Sequence, residues 1–314
     1  MNLQNILFDQ TGKIRSGLRL PFFLLVFIFI AAFASILIFG LMTAGGSKPE
    51  VASPTGFALN SLILLSAALT AGWFSGRLLE GLPFRALGAS LSWIGLRNLA
   101  IGCGLGAATF VFAVIIGYFA GGLRFELNTQ AATVTLLSSA LIALGVFSVA
   151  AAFEEALFRG YILQSFARSG LAWLAILLTS AFFGIAHLSN PNLGFISTAN
   201  TMLAGVWFGI AYLKTRDLWF VTGMHLMWNW MQGAVFGIEV SGLTELSPAP
   251  LLNEIDSGPT WLTGGDYGLE GGIACTAALI ASLFVIHFLP IRPDDDLLAF
   301  TTPANQGPEP KVAP

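Results

Sequence analysis

Eight long apolar runs constrain the fold of this chain more than any other feature of the sequence. The 314 residues are 55% hydrophobic and only 10% charged, whereas a soluble globular protein carries about 25% charged residues. Because a membrane-spanning helix needs about 20 apolar residues, we predict an all-α, polytopic membrane bundle of about eight helices within residues 20–290. The runs lie at residues 20–43, 57–79, 98–120, 132–153, 171–188, 195–213, 218–238 and 271–290.

The lysine and arginine residues predict the orientation of this bundle. With the N-terminus placed in the cytoplasm, eleven basic residues of the connecting segments fall on the cytoplasmic side and only Lys48 and Arg124 fall outside. Eight spans then return the C-terminus to the cytoplasm, and we expect a multi-pass protein of a bacterial cytoplasmic membrane. The eleven are Lys13, Arg15, Arg19, Arg77, Arg85, Arg97, Arg168, Lys214, Arg216, Arg292 and Lys311.

Three segments outside the apolar runs are predicted from their composition. Residues 1–19 are basic and predict a cytoplasmic or interfacial segment that leads into the first span. Residues 239–270 carry several acids, glycines and prolines, which favours a solvated loop on the outer side. Residues 291–314 are acidic and then rich in proline, which predicts a disordered cytoplasmic tail. No basic stripe and no nucleotide-binding fingerprint occurs, so we expect neither nucleic acid nor nucleotide as a partner.

A cluster of charges, Glu154, Glu155 and Arg159, ends the fourth apolar run. Each charge at the centre of a bilayer costs about 2.5–3.5 kcal/mol on insertion scales, so such residues pair with each other or do chemistry. Glu155 and Arg159 are four residues apart, with the acid first, which favours an ion pair along one helix face. Arg159 can then hold Glu155 ionised and leave Glu154 free to face other groups. An ion-pair cluster near the headgroups is the structural alternative.

Two histidines within apolar runs are further polar groups that need an explanation. His187 ends the fifth run, and His225 lies in the seventh run with Asn229 four residues later on the same helix face. Gln232 falls close to that face, either as another polar lining residue or as a packing amide. A histidine inside a membrane is often only a hydrogen-bonded packing residue. The chain, however, has just three histidines, and the third, His287, ends the last span.

These groups allow hydrolysis of a carbonyl compound by two routes. Two imidazoles and a carboxylate can bind Zn²⁺ and leave one position open for water. Without a metal, a glutamate can take a proton from water while histidine and asparagine stabilise the resulting oxyanion. The usual zinc helix with the pattern His-Glu-x-x-His and the Gly-x-Ser-x-Gly turn of serine hydrolases are both absent from the sequence.

Three motifs together resemble the CPBP family, also called the CAAX-protease and bacteriocin-processing or Abi family of intramembrane proteases. The motifs are Glu-Glu-x-x-x-Arg, Phe-x-x-x-His and His-x-x-x-Asn, each on a membrane helix. They occur here in that order as Glu154-Glu155…Arg159, Phe183…His187 and His225…Asn229. The resemblance covers residues 132–232, which we take as the catalytic core.

The resemblance implies an intramembrane endopeptidase that cuts a membrane-associated or lipidated peptide or protein. It implies that Glu154 activates the water and that Glu155 and Arg159 support it. It further implies that His187 joins Glu154 around the water or a metal, and that His225 and Asn229 stabilise the oxyanion or complete the ligand set. The possible metal is Zn²⁺, with Glu154, His187 and His225 as its expected ligands.

Two other functions use the same residues. A transporter or ion pathway would line its path with buried glutamate, histidine and arginine. A non-catalytic scaffold could dock a partner helix on Gly205 and Gly209. The protease predicts that the polar groups converge on one cavity. That convergence meets a difficulty of depth, since His187 lies about 24 Å and His225 about 12 Å from the predicted inner helix ends. Either the helices tilt or the segment 160–172 enters the membrane.

Overall fold

The computed structural model describes residues 7–8, 12–47, 50–89, 91–291, 293 and 295–301. Eight helices occupy the eight predicted runs, and five of them (α1–α4 and α6) are long and apolar enough to cross a membrane. The chain is therefore mostly helical and an integral membrane protein, while the count of eight crossings and the cytoplasmic termini stay predictions. The helices are α1 Ser16–Ala44, α2 Pro54–Glu80, α3 Trp93–Phe119, α4 Thr133–Arg168, α5 Ala172–Ala186, α6 Phe195–Thr215, α7 Leu218–Trp230 and α8 Ile273–Phe288.

Local sequence signals set several helix ends. Ser53 caps α2 by accepting a hydrogen bond from the backbone N–H of Gly56, and proline follows it at the first helical position. Gly81 ends the same helix in the left-handed conformation, with φ of 71°. Ser92 caps α3 in the same way, through the N–H of Gly95. The ends of these helices therefore follow from short-range hydrogen bonding.

Helix α4 extends far beyond the predicted run 132–153. It continues through a π-helical stretch, Ala156–Leu163, and a last α-helical turn, Gln164–Arg168. The polar residues of this extension are the reason that the sequence predicts an end of the apolar run. In the structure, residues 158–167 are all buried inside the protein, where their polar groups face neighbouring helices. The chain does not break at Gly160, and it leaves the helix only beyond Ser169, where Gly170 has a φ of 77°.

The long α4 brings Glu154 to the same depth as His225. The N–H of Leu218, at the start of α7, donates to the carbonyl of Gly88, and the Leu218 side chain lies beside Gly160 of α4. Helix α7 thus begins level with Gly160, deep inside the bundle. Glu154 lies six residues before Gly160, about 9 Å, and His225 lies seven residues after Leu218, about 10 Å. Both side chains therefore reach the same level, because segment 160–168 lies within the bundle.

Small residues allow the helices around the site to pack closely. A Cβ atom added to Gly106 of α3 would lie 2.1 Å from the carbonyl oxygen of Met224 in α7. On the other side, a Cβ atom on Gly205 of α6 would lie 2.7 Å from the Cα atom of Ser180 in α5. Such close approach is typical of membrane helix interfaces. Gly205 therefore serves packing inside the bundle, and it is not available to a partner helix.

The prediction of an all-α fold misses a small antiparallel sheet. Strand β1, Leu123–Leu127, pairs with strand β2, Leu252–Asp256, from Leu123 opposite Asp256 to Leu127 opposite Leu252. Both strands lie outside the helices, where the chain after α3 meets the long segment between α7 and α8. The pairing satisfies backbone groups of two connections that are far apart in the sequence.

The long segment between α7 and α8 is not the solvated loop that its composition predicts. Leu246 and Leu269 are buried, and the Glu270 carboxylate accepts hydrogen bonds from Trp228 of α7 and from Ser241. These contacts fold the segment back onto the helices. Composition cannot show this, because the partners are up to 42 residues apart in the chain.

The two terminal segments also differ from the predictions. Helix α1 begins at Ser16, inside the predicted segment 1–19, and Arg19 is buried with its Nη1 atom 2.6 Å from Oε1 of Glu80. Arg168 at the end of α4 binds the same carboxylate at 2.9 Å. In the predicted disordered tail 291–314, residues Asp295–Thr301 form a short helix, α9, and residues 302–314 lie outside the described part.

Candidate active site

A buried ion pair within α4 forms the base of the site. Nη1 of Arg159 lies 3.0 Å from Oε1 of Glu155, and both side chains are 0% exposed. Nη2 of Arg159 donates to the backbone carbonyl of Gly205 at 3.0 Å, so the guanidinium also ties α4 to α6. The rings of Phe183 and Phe208 flank it, with their centroids 5.0 and 5.1 Å from the guanidinium carbon. The predicted Glu155–Arg159 pair is confirmed.

Glu155 also binds His225, a contact that the sequence did not predict. Nδ1 of His225 lies 3.0 Å from the same carboxylate oxygen that binds Arg159. An ionised carboxylate only accepts hydrogen bonds, so Nδ1 of His225 carries a proton and Nε2 is the ring atom that faces the cavity. Phe208 stacks on this imidazole at 4.7 Å, which fixes the plane of the ring.

His187 is oriented in the same way by a different group. It caps the C-terminal end of α5, and its Nδ1 atom lies 2.8 Å from the carbonyl oxygen of Phe183 one turn earlier. A carbonyl oxygen only accepts, so Nδ1 again carries a proton and Nε2 is the ring atom nearer to Glu154. The motif Phe-x-x-x-His therefore provides the acceptor that sets the tautomer of its own histidine.

Glu154 faces both histidines. Its Oε2 atom lies 3.9 Å from Nε2 of His225 and 4.0 Å from Nε2 of His187. This oxygen is buried and has no hydrogen-bond partner among the described residues. The distances are too long for direct hydrogen bonds and suit one bridging water. Glu154 is thus separate from the Glu155–Arg159 pair, as the spacing of the motif predicts.

These groups line a cavity of about 270 Å³ between the helices and the segment after α7. Glu154, His187, His225 and Asn229 all contribute to its wall, so the four residues converge as the protease hypothesis requires. Gln232 is not part of the wall. It is buried and donates to the backbone carbonyl of Glu239, which makes it a packing amide.

The donor set resembles a zinc site in chemistry but not in spacing. Histidines that bind zinc commonly donate their other N–H to a carboxylate or a backbone carbonyl, as His225 and His187 do here. In a tetrahedral zinc site with bonds of about 2.0 Å, neighbouring ligand atoms lie about 3.3 Å apart. Here the distances from Oε2 of Glu154 to Nε2 of His225 and of His187 are 3.9 and 4.0 Å, which are larger. Among the described residues, no group of three or more His, Cys, Asp or Glu side chains is spaced for a metal ion.

The cavity ends at a layer of aromatic side chains on the side of Arg168. Phe158, Phe183 and the Arg159 guanidinium lie below the histidines, and residues 158–167 of α4 are buried beneath them. The structure thus gives the polar groups a pocket rather than a path along α4.

Gly209, like Gly205, faces α5, where its added Cβ would lie 3.3 Å from Ile176.

The sequence analysis missed one acid of the cavity wall, Glu270. It precedes α8 and reaches the cavity through the fold of the long segment. Its Oε1 atom accepts from Nε1 of Trp228 at 3.0 Å, and its Oε2 atom accepts from the backbone N–H and the hydroxyl of Ser241. No local pattern distinguishes Glu270 from the other acids of the segment.

Comparison with known proteins agrees with this geometry. Residues 136–231 match the family model described as type II CAAX prenyl endopeptidase Rce1-like. The curated proteins contain no match to the chain. The matched segment begins in α4, ends in the π-helical turn after α7 and holds all six predicted site residues. Residues 136–231 are therefore similar to CAAX-type peptidases of the Rce1-like family, which confirms the resemblance seen in the three motifs.

Proposed function

We propose that the protein is an intramembrane endopeptidase in which Glu154 activates a water molecule. The observation that carries this proposal is the unpartnered, buried carboxylate oxygen of Glu154, which faces two histidine Nε2 atoms inside a cavity. The family model supports the class of enzyme. The substrate is a membrane-associated or lipidated peptide or protein, because the site lies within apolar helices.

Hydrolysis then proceeds by general base and general acid catalysis. A water molecule between Glu154 and the imidazoles loses a proton to Glu154 while its oxygen forms a bond to the carbonyl carbon of the scissile peptide. The tetrahedral intermediate collapses with cleavage of the C–N bond. The proton held by Glu154 passes to the leaving nitrogen, which restores the carboxylate and releases an amine and a carboxylic acid.

Asn229 and His225 act on the oxyanion of the intermediate. The Asn229 amide, on the cavity wall, donates without any change of protonation. Nε2 of His225 can donate only when the ring is an imidazolium, a form that the Glu155 carboxylate stabilises through Nδ1. Glu155 and Arg159 do not reach the substrate. They position His225 and the backbone of α6.

Zinc and metal-free chemistry place opposite demands on His225. As a metal ligand, His225 must be neutral, and a bound zinc ion would lower the pKa of its water to about 7. As an oxyanion donor it must be protonated. A pH–activity profile measured with and without chelator separates the two: loss of activity on chelation and its return with added Zn²⁺ would assign the metal.

A transporter remains the alternative function that needs testing. A path for ions requires a continuous polar route across the whole bundle, whereas the wall of this cavity does not include Gln164 and Ser165, the buried polar residues further along α4. The cavity therefore favours hydrolysis over transport.

The decisive experiment compares new peptide termini in membranes that contain the wild type or the Glu154→Gln variant. Mass spectrometry is expected to find membrane-proximal cleavages with the wild type, and the variant is expected to lower them at least about a hundredfold. Glu126→Gln is the matched control, because Glu126 is exposed on β1. Identical terminus profiles for the wild type and Glu154→Gln would refute the proposal, and ion flux in liposomes would be measured next.

A further inference from the structure

The cavity has a second carboxylate, Glu270, that the hydrolytic mechanism does not use. Its two oxygens accept three hydrogen bonds, one from Trp228 and two from Ser241, and all three donors are neutral. A carboxylate offers about four lone-pair positions, so one acceptor position is left. Among the described residues, neither lysine nor arginine forms an ion pair with Glu270, and its charge is uncompensated there.

The wall around Glu270 differs from the wall around Glu154. Asn190, Asn200, Thr201 and Ser241 line the same end of the cavity, whereas phenylalanines dominate the end at Glu154. The Asn200 amide donates to the backbone carbonyls of Glu270 and Gly272, and the Asn190 amide donates to the carbonyl of Ser241, so this polar end is rigidly built. Such a pocket suits a polar ligand group rather than a lipid chain.

The distance from the catalytic groups fits a substrate side chain close to the scissile bond. Trp228, which binds Glu270, follows His225 by three residues on α7, nearly one helical turn or about 5 Å. An extended peptide advances about 3.4 Å per residue. A peptide with its carbonyl at Glu154 and His225 would therefore bring a side chain within three positions of that bond to Glu270.

We propose that Glu270 is a specificity residue that binds a positively charged side chain, lysine or arginine, of the substrate peptide. This inference deepens the proposed function and rests on it for the identity of the ligand as a peptide. Since neither lysine nor arginine lines the cavity, a substrate carboxylate at this position has no counter-charge and is repelled by Glu270. The preferred substrate has a basic residue next to an apolar segment.

Peptide binding to a catalytically inactive full-length protein tests this proposal without turnover. The background is Glu154→Gln, which also removes the other cavity carboxylate. The probes are fluorescent apolar decapeptides with blocked ends and one central lysine, norleucine or glutamate. We expect the lysine peptide to bind about tenfold more tightly than the norleucine peptide and the glutamate peptide to bind most weakly, and we expect the preference to shrink at high salt.

Adding Glu270→Gln is expected to abolish the preference for lysine while the norleucine peptide binds unchanged. Glu245→Gln is the matched control, since Glu245 is an exposed acid of the same segment and lies off the cavity wall. A lysine preference that survives Glu270→Gln would overturn the proposal. So would an equal loss of both peptides, because Glu270 would then only anchor the segment to Trp228. Failure of the proposed function is a separate result, seen as cleavage that does not depend on Glu154.

Discussion

Adjacent glutamates perform opposite tasks at the scale of single residues. Glu155 is completely buried and binds two cationic or polar partners, Arg159 and His225, through one oxygen. Glu154 keeps an oxygen without a partner and is 22% exposed in the cavity. The first therefore contributes to stability and to the position of His225, and the second contributes to chemistry.

The same substitution at the two positions should consequently have unequal effects on stability. Glu155→Gln leaves the Arg159 guanidinium as an uncompensated buried charge, and we expect the free energy of unfolding to fall by about 3 kcal/mol. Glu154→Gln removes no hydrogen bond, and its change should stay within about 0.5 kcal/mol. Unfolding in mixed detergent micelles measures both values. Equal destabilisation by the two variants would show that Glu155 and Arg159 do not act as a buried pair.

The roles of single residues were predictable only as far as they follow from spacing along one helix. The four-residue spacing of Glu155 and Arg159 indicated their ion pair, and the residue types of the three motifs indicated a common site. The bond from Glu155 to His225 joins residues 70 apart and depends on how α4 and α7 pack. Glu270 enters the cavity for a similar reason, through a tertiary contact that no short sequence pattern encodes.

At the scale of helices and strands, the contact between α5 and α6 positions the site. Gly205 lets the two helices approach, and its carbonyl oxygen accepts from Arg159. In Gly205→Ala, the new Cβ would lie 2.7 Å from the Cα atom of Ser180, so the helices must separate. We expect a loss of about 1–3 kcal/mol in the free energy of unfolding and a lower rate of peptide cleavage, because the anchor of Arg159 moves with α6.

Gly209→Ala provides the comparison for this variant. Gly209 lies one turn further along α6, and its new Cβ would meet only side-chain atoms, of Ile176 at 3.3 Å and of Leu163 at 3.5 Å, which can shift. Stability and cleavage should both remain near the wild-type values. If the two alanine variants behaved alike in unfolding and in cleavage assays, the close packing at Gly205 would not be what positions Arg159.

The positions of the helices were predictable because hydrophobic runs report burial in lipid or protein. The end of α4 was not, since Glu154, Glu155 and Arg159 end the apolar run, whereas the helix continues to Arg168 with residues 158–167 buried inside the protein. Its π-helical stretch, Ala156–Leu163, has no distinguishing local sequence pattern, and it packs mainly against α2 and α5. The β1–β2 pairing likewise joins two connections that give only weak local signals.

At the scale of the whole molecule, the basic residues at the helix ends and the cavity lie at opposite ends of the bundle. Basic residues gather where α2, α4 and α6 end, at Arg77, Arg168 and Lys214. The cavity lies toward the other ends of these helices, where its wall includes Asn190 and Glu270 from the connecting segments. If the basic ends face the cytoplasm, as the distribution of lysine and arginine predicts, the cavity opens toward the outer side of the membrane.

Cysteine labelling in intact cells tests this orientation. In a protein whose native Cys103 and Cys275 are replaced by alanine, Ser189→Cys reports the cavity side and Leu91→Cys reports the basic side, since both positions are exposed. A membrane-impermeant maleimide should label the first at once and the second only after the membrane is permeabilised. The reverse pattern would mean that the cavity opens toward the cytoplasm and would contradict the orientation.

With the expected pattern, the substrate segment must be presented from the outer leaflet. A reporter peptide fused to an exported domain should then be cut, and the same peptide held in the cytoplasm should not be cut.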